Sequence, residues 1–404
     1  MALVGPTHPY TGGIAQHTTR LALELEKRGH HVQVESWSAQ YPKTLYPGPD
    51  RVPGGAPEIG LPRTVREDLA WFNPFSWWRV GRRLRRHDVV AVSIPTPFHA
   101  VPYLVLLGAL GQSVQTVGLV HNVLPHEPGP LDRLLMRWLL RRLHLVIVHG
   151  QAALDTATEL GVAPERLAEC SLPSPWPESS PVAPQVRAEG TAEDTTGDRA
   201  QDTPQSTGQS DPEGATGLRV LFFGTVRHYK GLDILLDALA DTPEATLLIA
   251  GEFWDDEASY RDHIARLGLE ARVTIRGGYV PEAEFPELFA GADVLVLPYR
   301  SGTGSIVREL AFRFHLPVIA TDVGAIAEGI EHDHTGMVVP AGDPGALAGA
   351  LADALSHAAQ PGVLARWREA VATRDDSQGA LWESYCQAVL GGGASGQIAP
   401  GGGR

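Results

Sequence analysis

Between residues 218 and 340 six short apolar runs recur: LRVLFFG, ATLLIAG, RVTIRGG, ADVLVLP, PVIAT and GMVVP. Helical stretches are expected from Leu232, over Asp255–Leu267, Pro281–Ala290 and Ser305–Phe314, and after the last run over Asp343–Ser356. Strands that are apolar throughout are covered on both faces, and strands that alternate with helices pair in parallel. This half of the chain therefore reads as a parallel α/β sheet with helices on either side.

Ligands of such sheets collect beyond the carboxyl ends of the strands. Two loops fall there. In LVLPYRSGTGSIVRELAFRFHLPVIATDVG a buried strand, Val294–Leu297, leads to a small-residue loop, Ser301–Ser305, and then to a helix carrying Glu309 and a strand at Pro317–Ala320. Gly302, Gly304 and Ser305 let a ligand approach the backbone, and the free N–H groups of the helix start attract an anion. Glu309, one turn into that helix, can accept hydrogen bonds from hydroxyls beside the anion. The same residues also fit an ordinary strand, loop and helix with a solvated glutamate. The second loop, GTVRHYKG, follows the strand Arg219–Phe223 and carries Arg227 and Lys230. If both strands share one sheet, the arginine fork and the lysine point charge face one crevice and suit a diphosphate.

The N-terminal half repeats the pattern. A strand at Ala2–Val4 precedes Gly12 and Gly13, a helix with Leu21, Leu23 and Leu25 closed by Gly29, and a strand at Val32–Glu35. The glycine pair fits a sugar or phosphate at the helix start, or simply a tight turn and close packing; the dinucleotide fingerprint is absent. A Pro- and Gly-rich loop over residues 42–62 is expected to lie over the crevice. Strands at Val89–Ile94, Thr116–Val120 and Leu145–Val148 follow, the second ending in His121 and Asn122 and the third in His149 and Gly150, with a helix beginning near Gln151. His121 at a strand's carboxyl end can relay a proton or bond a sugar hydroxyl, or serve only structurally.

Two basic helices stand in this half. Pro74–Arg86 sets Phe75, Trp77 and Trp78 beside five arginines, and PLDRLLMRWLLRRLH interleaves Arg133, Arg137, Arg141 and Arg142 with leucines and Trp138. Such helices suit an anionic membrane surface at the inner face of the cell membrane, or bury their apolar faces and leave the arginines in water. The net charge of −14 argues against general nucleic-acid affinity. Two cysteines, Cys170 and Cys386, have no metal-site spacing and are too few for a disulfide framework, no apolar run is long enough to span a bilayer, and the chain opens on a core strand rather than a leader; a cytoplasmic protein is expected.

The domain organisation expected is a first domain over 1–172, an acidic disordered insertion over 173–217, a second domain over 218–375, a closing helix over 376–390 that returns to the first domain, and a flexible tail over 391–404. The insertion, dense in Pro, Gly, Ser, Thr, Asp and Glu, lacks the apolar residues that offset chain ordering.

GTVRHYKG, LLIAGE, RGGYVPEAEFPELFAGADVLVLPY, RELAFRFHLPVIATDVGAIAEGI and HTGMVVPAGDPGAL, in this order, resemble the donor half of family-four retaining glycosyltransferases. PYTGGIAQHTTRLALELEKRGHHV and LVHN resemble the first half more loosely. The resemblance implies the GT-B architecture, two Rossmann-like domains facing across a cleft, and transfer of a sugar from a nucleoside-diphosphate sugar with its anomeric configuration kept, without a cofactor and generally without a catalytic metal. It implies that Arg227 and Lys230 bind the diphosphate and Glu309 the ribose. Tyr279, within Gly278–Val280, would border the base, and Ser301, Gly302, Thr303, Gly304, Ser305 and Ile306 would meet phosphate and sugar. Gly12 and Gly13 would lie at the transfer centre and His121 at the donor sugar. Two positions depart from the family: Ser301 stands where the first of two glutamates is usual, and Thr225 where an arginine is usual. The missing carboxylate keeps open a non-catalytic nucleotide-sugar-binding or membrane-associated scaffold partner, and the shared architecture keeps open a sugar-nucleotide epimerase. A phosphorylase lacks its lysine motif.

Overall fold

The computed structural model describes residues 1–42, 51–52, 60–125, 129–176, 217–302, 305–342, 344–374 and 378–391. Seven strands form the N-terminal sheet: β1 (Ala2–Val4), β2 (Gln33–Ala39), β3 (Val65–Ala70), β4 (Val89–Ile94), β5 (Gln115–Val120), β6 (Leu145–Val148) and β7 (Leu167–Glu169). All pair in parallel, in the order β3-β2-β1-β4-β5-β6-β7. Helices α1 (Gly13–Lys27), α2 (Pro74–Leu84), α3 (Ala100–Leu110), α4 (Pro130–Leu140) and α5 (Gln151–Glu159) make the crossovers. The strand order reverses between β1 and β4, so a crevice opens at their carboxyl ends, next to the glycine turn that starts α1.

The C-terminal sheet comprises β8 (Leu218–Phe223), β9 (Ala245–Gly251), β10 (Val273–Gly277), β11 (Val294–Leu297), β12 (Val318–Thr321) and β13 (Gly336–Val339) in the order β10-β9-β8-β11-β12-β13. It is covered by α6 (Leu232–Ala240), α7 (Glu257–Arg266), α8 (Phe285–Ala290), α9 (Ile306–Arg313), α10 (Pro344–Ala358) and α11 (Val363–Thr373). The reversal here falls between β8 and β11, the two strands whose loops carry Lys230 and Ser301. The chain is thus two Rossmann-like units, the arrangement of the GT-B fold. The apolar strands explain the burial: Val294, Leu295, Val296 and Leu297 are all buried, alternate residues feeding the cores on the two faces of the sheet.

A last helix, α12 (Gln378–Val389), leaves the second domain and packs Trp382, Tyr385, Cys386 and Val389 against Leu21, Leu25 and Ile147 of the first. The strip before the acidic segment is also packed. The Ser174 N–H donates to Gln378 Oε1 (2.8 Å), the Trp382 indole N–H donates to the Ser174 carbonyl (3.1 Å), and Trp176 meets Phe285 edge-on at 6.3 Å. Residues 173–176, assigned to the linker from composition, are therefore corrected to folded chain: one tryptophan and two polar contacts hold them. Residues 177–216, like most of the 42–62 loop and the tail beyond Gly391, lie outside the described residues. Among the described residues no helix is long and apolar enough to cross a membrane.

Candidate active site

β8 ends at Gly224, and the chain turns through a short 3-10 segment, His228–Lys230, to Gly231 before α6. Gly231 is left-handed (φ +70°), and a Cβ there would sit 2.0 Å from the Pro298 carbonyl oxygen, so only glycine brings this loop against the end of β11. Arg300 fastens the two loops: its N–H donates to the Tyr229 carbonyl (2.7 Å), and its guanidinium donates to the His228 carbonyl (2.9 Å) and pairs with Asp233 at 2.5 Å.

Lys230 is 8% exposed. Its Nζ lies 5.6 Å from the Tyr299 ring centre, and a Cβ placed on Gly224 would be 3.6 Å from that Nζ and 3.7 Å from Val307 Cγ2 in the first turn of α9. The lysine and the start of α9 therefore border one small space. Burial, reinforced by Arg227, weakens the hold of Lys230 on its proton, and no carboxylate pairs with it among the described residues. Arg227 belongs to the same loop but stands exposed, over the rings of Trp254 (5.0 Å) and Tyr229 (5.8 Å).

α9 begins at Ile306 after Ser305, and no side chain caps its first turn. Glu309 is largely buried, and its Oε1 takes a 2.6 Å bond from Arg308, which also donates to the carbonyls of Ala325 (2.8 Å) and Ile326 (3.1 Å). That bracing fixes the carboxylate over the helix start. Gly302 packs against Ile326, whose Cδ1 would lie 3.0 Å from an added Cβ, and Ser301 is half-buried. Thr303 and Gly304 lie outside the described residues. Tyr279 follows β10, half-buried between Gly278 and the buried Val280.

The N-terminal domain meets this site across the cleft. Gly13, at the start of α1, lies against Ile306: a Cβ there would be 3.0 Å from Ile306 Cγ2. Gln16 donates to Glu282, close after Tyr279. Gly12 precedes α1 with φ +95°, and α1 too has no side-chain cap and no acidic residue in its first turn. Two uncapped helix starts, one from each domain, thus face each other and direct their free N–H groups at the cleft. The start of α5 joins them, with Gly150 beside Ala325 and Glu328 Oε1 at 3.5 Å from an added Cβ. Burial, with Glu169 and Glu309 nearby, raises the Glu328 carboxyl above the usual range despite Arg308.

His121 belongs to a cluster that motif reading missed. Its ring centre is 5.5 Å from His17 on α1 and 5.3 Å from His149 after β6. Trp382 of α12 stacks on His17 at 5.4 Å, and Tyr385 stacks on His149 at 5.8 Å. His149 Nδ1 bonds the Cys170 carbonyl (3.0 Å). Burial, and then the neighbouring imidazoles, hold His121 well below its ordinary value and His17 down to about 3, while burial alone brings His149 to about 4. The trio is neutral at physiological pH. The ring contacts of His121 are with this N-terminal cluster, not with the lysine loop. His17 escapes a reading by motif because a histidine inside an amphipathic helix looks like any core residue. Among the described residues no group of three His, Cys, Asp or Glu side chains is arranged to hold a metal ion.

Comparison with known proteins bears on both halves. Residues 11–168 match the family model "Glycosyltransferase Family 4", and residues 217–357 match "Glycosyl transferases group 1". A D-inositol 3-phosphate glycosyltransferase of Jonesia denitrificans is 35% identical over 160 residues, 36% of this chain and 35% of the relative. The lipopolysaccharide core biosynthesis mannosyltransferase LpsB of Rhizobium meliloti is 31% identical over 141 residues, 32% of this chain and 39% of the relative. The match thus spans 35% and 39% of these two relatives' length. Among solved structures, Anabaena Alr3699/HepE in complex with UDP and glucose superposes with a TM-score of 0.68 at 18% identity, covering 96% of this chain and 99% of that one. WaaG, a glycosyltransferase involved in lipopolysaccharide biosynthesis, gives 0.63 at 18% identity, covering 97% and 100%. With two facing Rossmann-like domains and a family match on each, the chain is a GT-B-fold protein related to the family-four glycosyltransferases.

Proposed function

We propose that the protein transfers a glycosyl group from a nucleoside-diphosphate sugar to an acceptor held by the N-terminal domain, with retention at the anomeric carbon. The observation that carries this reading is Lys230: a buried cation with no carboxylate partner among the described residues, bordering the uncapped start of α9. A buried charge is costly unless a counter-ion arrives, and a diphosphate is the dianion that two loop amides, a lysine and a nearby arginine accommodate.

In this reading Lys230, Arg227 and the amides around Ser301, Gly302, Ser305 and Ile306 stabilise negative charge growing on the departing diphosphate. Glu309, braced by Arg308, accepts from the ribose hydroxyls, and Tyr279 borders the base. Gly12 and Gly13 leave room where sugar and acceptor meet. His121, held neutral, offers a hydrogen bond to the donor sugar without adding charge beside a developing cation.

HepE has been solved with UDP and with UDP-glucose, so uridine nucleotides are the first donors to try. The test is incubation with radiolabelled nucleotide sugars and a panel of sugar, inositol and lipid acceptors. Labelled product, or slow donor hydrolysis that Lys230→Ala abolishes, supports transfer. Tight donor binding with neither would favour the scaffold reading, for which the specific observation is Ser301 in place of a glutamate. We place the protein in the cytoplasm, where nucleotide sugars are made.

A further inference from the structure

Helices α2, α3 and α4 lie side by side on one face of the N-terminal sheet. A Cβ on Gly81 of α2 would meet the Leu106 carbonyl of α3 at 2.4 Å, Arg85 Nε donates to the Ala109 carbonyl (2.7 Å), and Arg142 just after α4 reaches over Gly108. Their inner faces are core: Trp77, Val80 and Leu84 from α2, Met136, Leu139 and Leu140 from α4. Their outer face is also apolar. Phe72 (63% exposed), Phe75 (65%) and Trp78 stand out at α2, Val101 and Val105 on α3, and Leu131, Leu134 and Trp138 (55%) on α4. Among the described residues nine large hydrophobic side chains are exposed, and all but Leu61 belong to this face, so it is a patch and not a scatter.

The charge of the face opposes that of the chain. Residues 74–86 hold five arginines and no acid, on a protein of net charge −14. Arg79 and Arg83 are paired with Asp68, and Arg133 with Glu159. Arg82, Arg86, Arg137, Arg141 and Arg142 are exposed and have no carboxylate partner among the described residues. Arg82 lies over the Trp78 ring at 5.2 Å, and Trp78 stacks on Phe75 at 5.8 Å.

We infer that this three-helix face docks on an anionic lipid bilayer. Tryptophan, phenylalanine and leucine on amphipathic helices seat at the boundary of headgroups and acyl chains, and arginines beside them bind lipid phosphates. A second copy fits poorly, because a two-fold contact through this face would set its unpaired arginines against their own copies. Nucleic acid fits poorly because the rest of the chain repels it. Orientation follows from the topology. Crossover helices start at the carboxyl ends of their parallel strands, so Phe72, Phe75, Leu131 and Leu134, at or beside the starts of α2 and α4, lie on the cleft side, and the unpaired arginines lie farther along each helix. Docking this way brings the rim beside His121 to headgroup level. Resting on the proposed transferase reading, that rim would take an acceptor hydroxyl presented by a membrane amphiphile; the docking itself does not depend on that reading.

The test is co-sedimentation of the full chain with phosphatidylcholine vesicles, with and without about 30% phosphatidylglycerol, at about 50 mM salt. Binding is expected only with the anionic lipid, weakening steeply as salt rises, with a blue shift of tryptophan emission. Each arginine near the surface contributes about fivefold, so Arg82→Gln/Arg86→Gln/Arg141→Gln together should lower partitioning about 100-fold. Phe75→Ser/Trp138→Ser should abolish the blue shift. UDP affinity, measured by calorimetry, should stay unchanged in both variants, which separates docking from donor binding. No binding of the parent protein to anionic vesicles, binding indifferent to the arginine variant, or a dimer in light scattering that Phe75→Ser/Trp138→Ser dissolves would each overturn the inference.

Discussion

At the carboxyl edge of the C-terminal sheet stands a buried lysine, with its loop bound to the neighbouring loop through Arg300 and Asp233. At the matching edge of the N-terminal sheet stand three neutral imidazoles under Trp382 and Tyr385 and, among the described residues, no buried lysine or arginine. Both domains use one topology, with the strand order reversing at the first strand of each sheet. On the proposed reading, one edge holds a fixed, doubly charged ligand. The other holds neutral imidazoles and is roofed by a helix borrowed from the chain's end. Substitutions on either side can test that division.

The largest effect is expected on the C-terminal side. Lys230→Ala should lower kcat by roughly two orders of magnitude or more, because it removes the positive charge that the proposed mechanism sets against the leaving diphosphate. Turnover within a few-fold of the parent enzyme would remove Lys230 from the transfer step. The variant should fold normally, since it deletes a buried charge that has no carboxylate partner among the described residues.

Acid should strike the other side. His17 and His149 titrate at about 3 and about 4 in the folded chain, and His121 is likewise held down. Unfolded imidazoles titrate near about 6.5. Above that value neither state is protonated and the cluster contributes no pH dependence. Below it the unfolded chain binds protons that the folded chain refuses, so stability falls by about 1.4 kcal/mol per pH unit for each imidazole until the folded values are reached. Urea unfolding from about pH 7.5 down to about 5 should show this loss, and His17→Gln should make it shallower. A stability that is flat across this range would mean that the cluster is already open to water.

Legibility in the sequence follows the same division. Runs such as Val294–Leu297 and Val89–Ile94 are read correctly to the residue because a strand covered on both faces is apolar nearly throughout, with Ser93 the one polar residue of the two. The convergence of the Lys230 loop with the start of α9 is legible too, since glycines and small residues mark close approach. β3, VREDLA, is an edge strand with charges along it, and it passes for loop. α3, AVPYLVLLGAL, is apolar all round and contains a proline, so it shows no helical period; it sits between two other helices and leaves only a strip exposed. α11 was readable: Val363, Trp367, Ala370 and Val371 keep a helical spacing, and all are buried. Trp176 looked like the start of a polar linker, because its partner Phe285 lies far along the chain. The histidine cluster depends on three separate elements and a returning helix, a juxtaposition no local pattern carries.

A smaller effect sharpens the donor side. Glu309→Ala should weaken nucleotide binding roughly tenfold, about 1.4 kcal/mol, by removing the braced carboxylate proposed to accept from the ribose hydroxyls. Arg308 remains tied to the Ala325 and Ile326 carbonyls, so the loop should hold its shape. Calorimetry showing full affinity would move Glu309 out of the ribose site and leave it as the partner of Arg308 alone.

The smallest effect tests where the two edges touch. An alanine at Gly13 suits the helix, yet its Cβ would press on Ile306 Cγ2 and Cδ1 at 3.0–3.1 Å, a contact relieved when the isoleucine side chain gives by a few tenths of an ångström. Gly13→Ala should therefore lower kcat only a few-fold, with donor affinity unchanged, because on the proposed reading the added methyl takes room from the acceptor. Ile306→Ala removes both crowding carbons, Cγ2 and Cδ1, and keeps the backbone amide, so the double variant separates two causes. If turnover recovers, the glycine serves the packing between domains. If the loss persists, as expected, Gly13 leaves space for a substrate atom, and the transfer centre lies where the starts of α1 and α9 face each other.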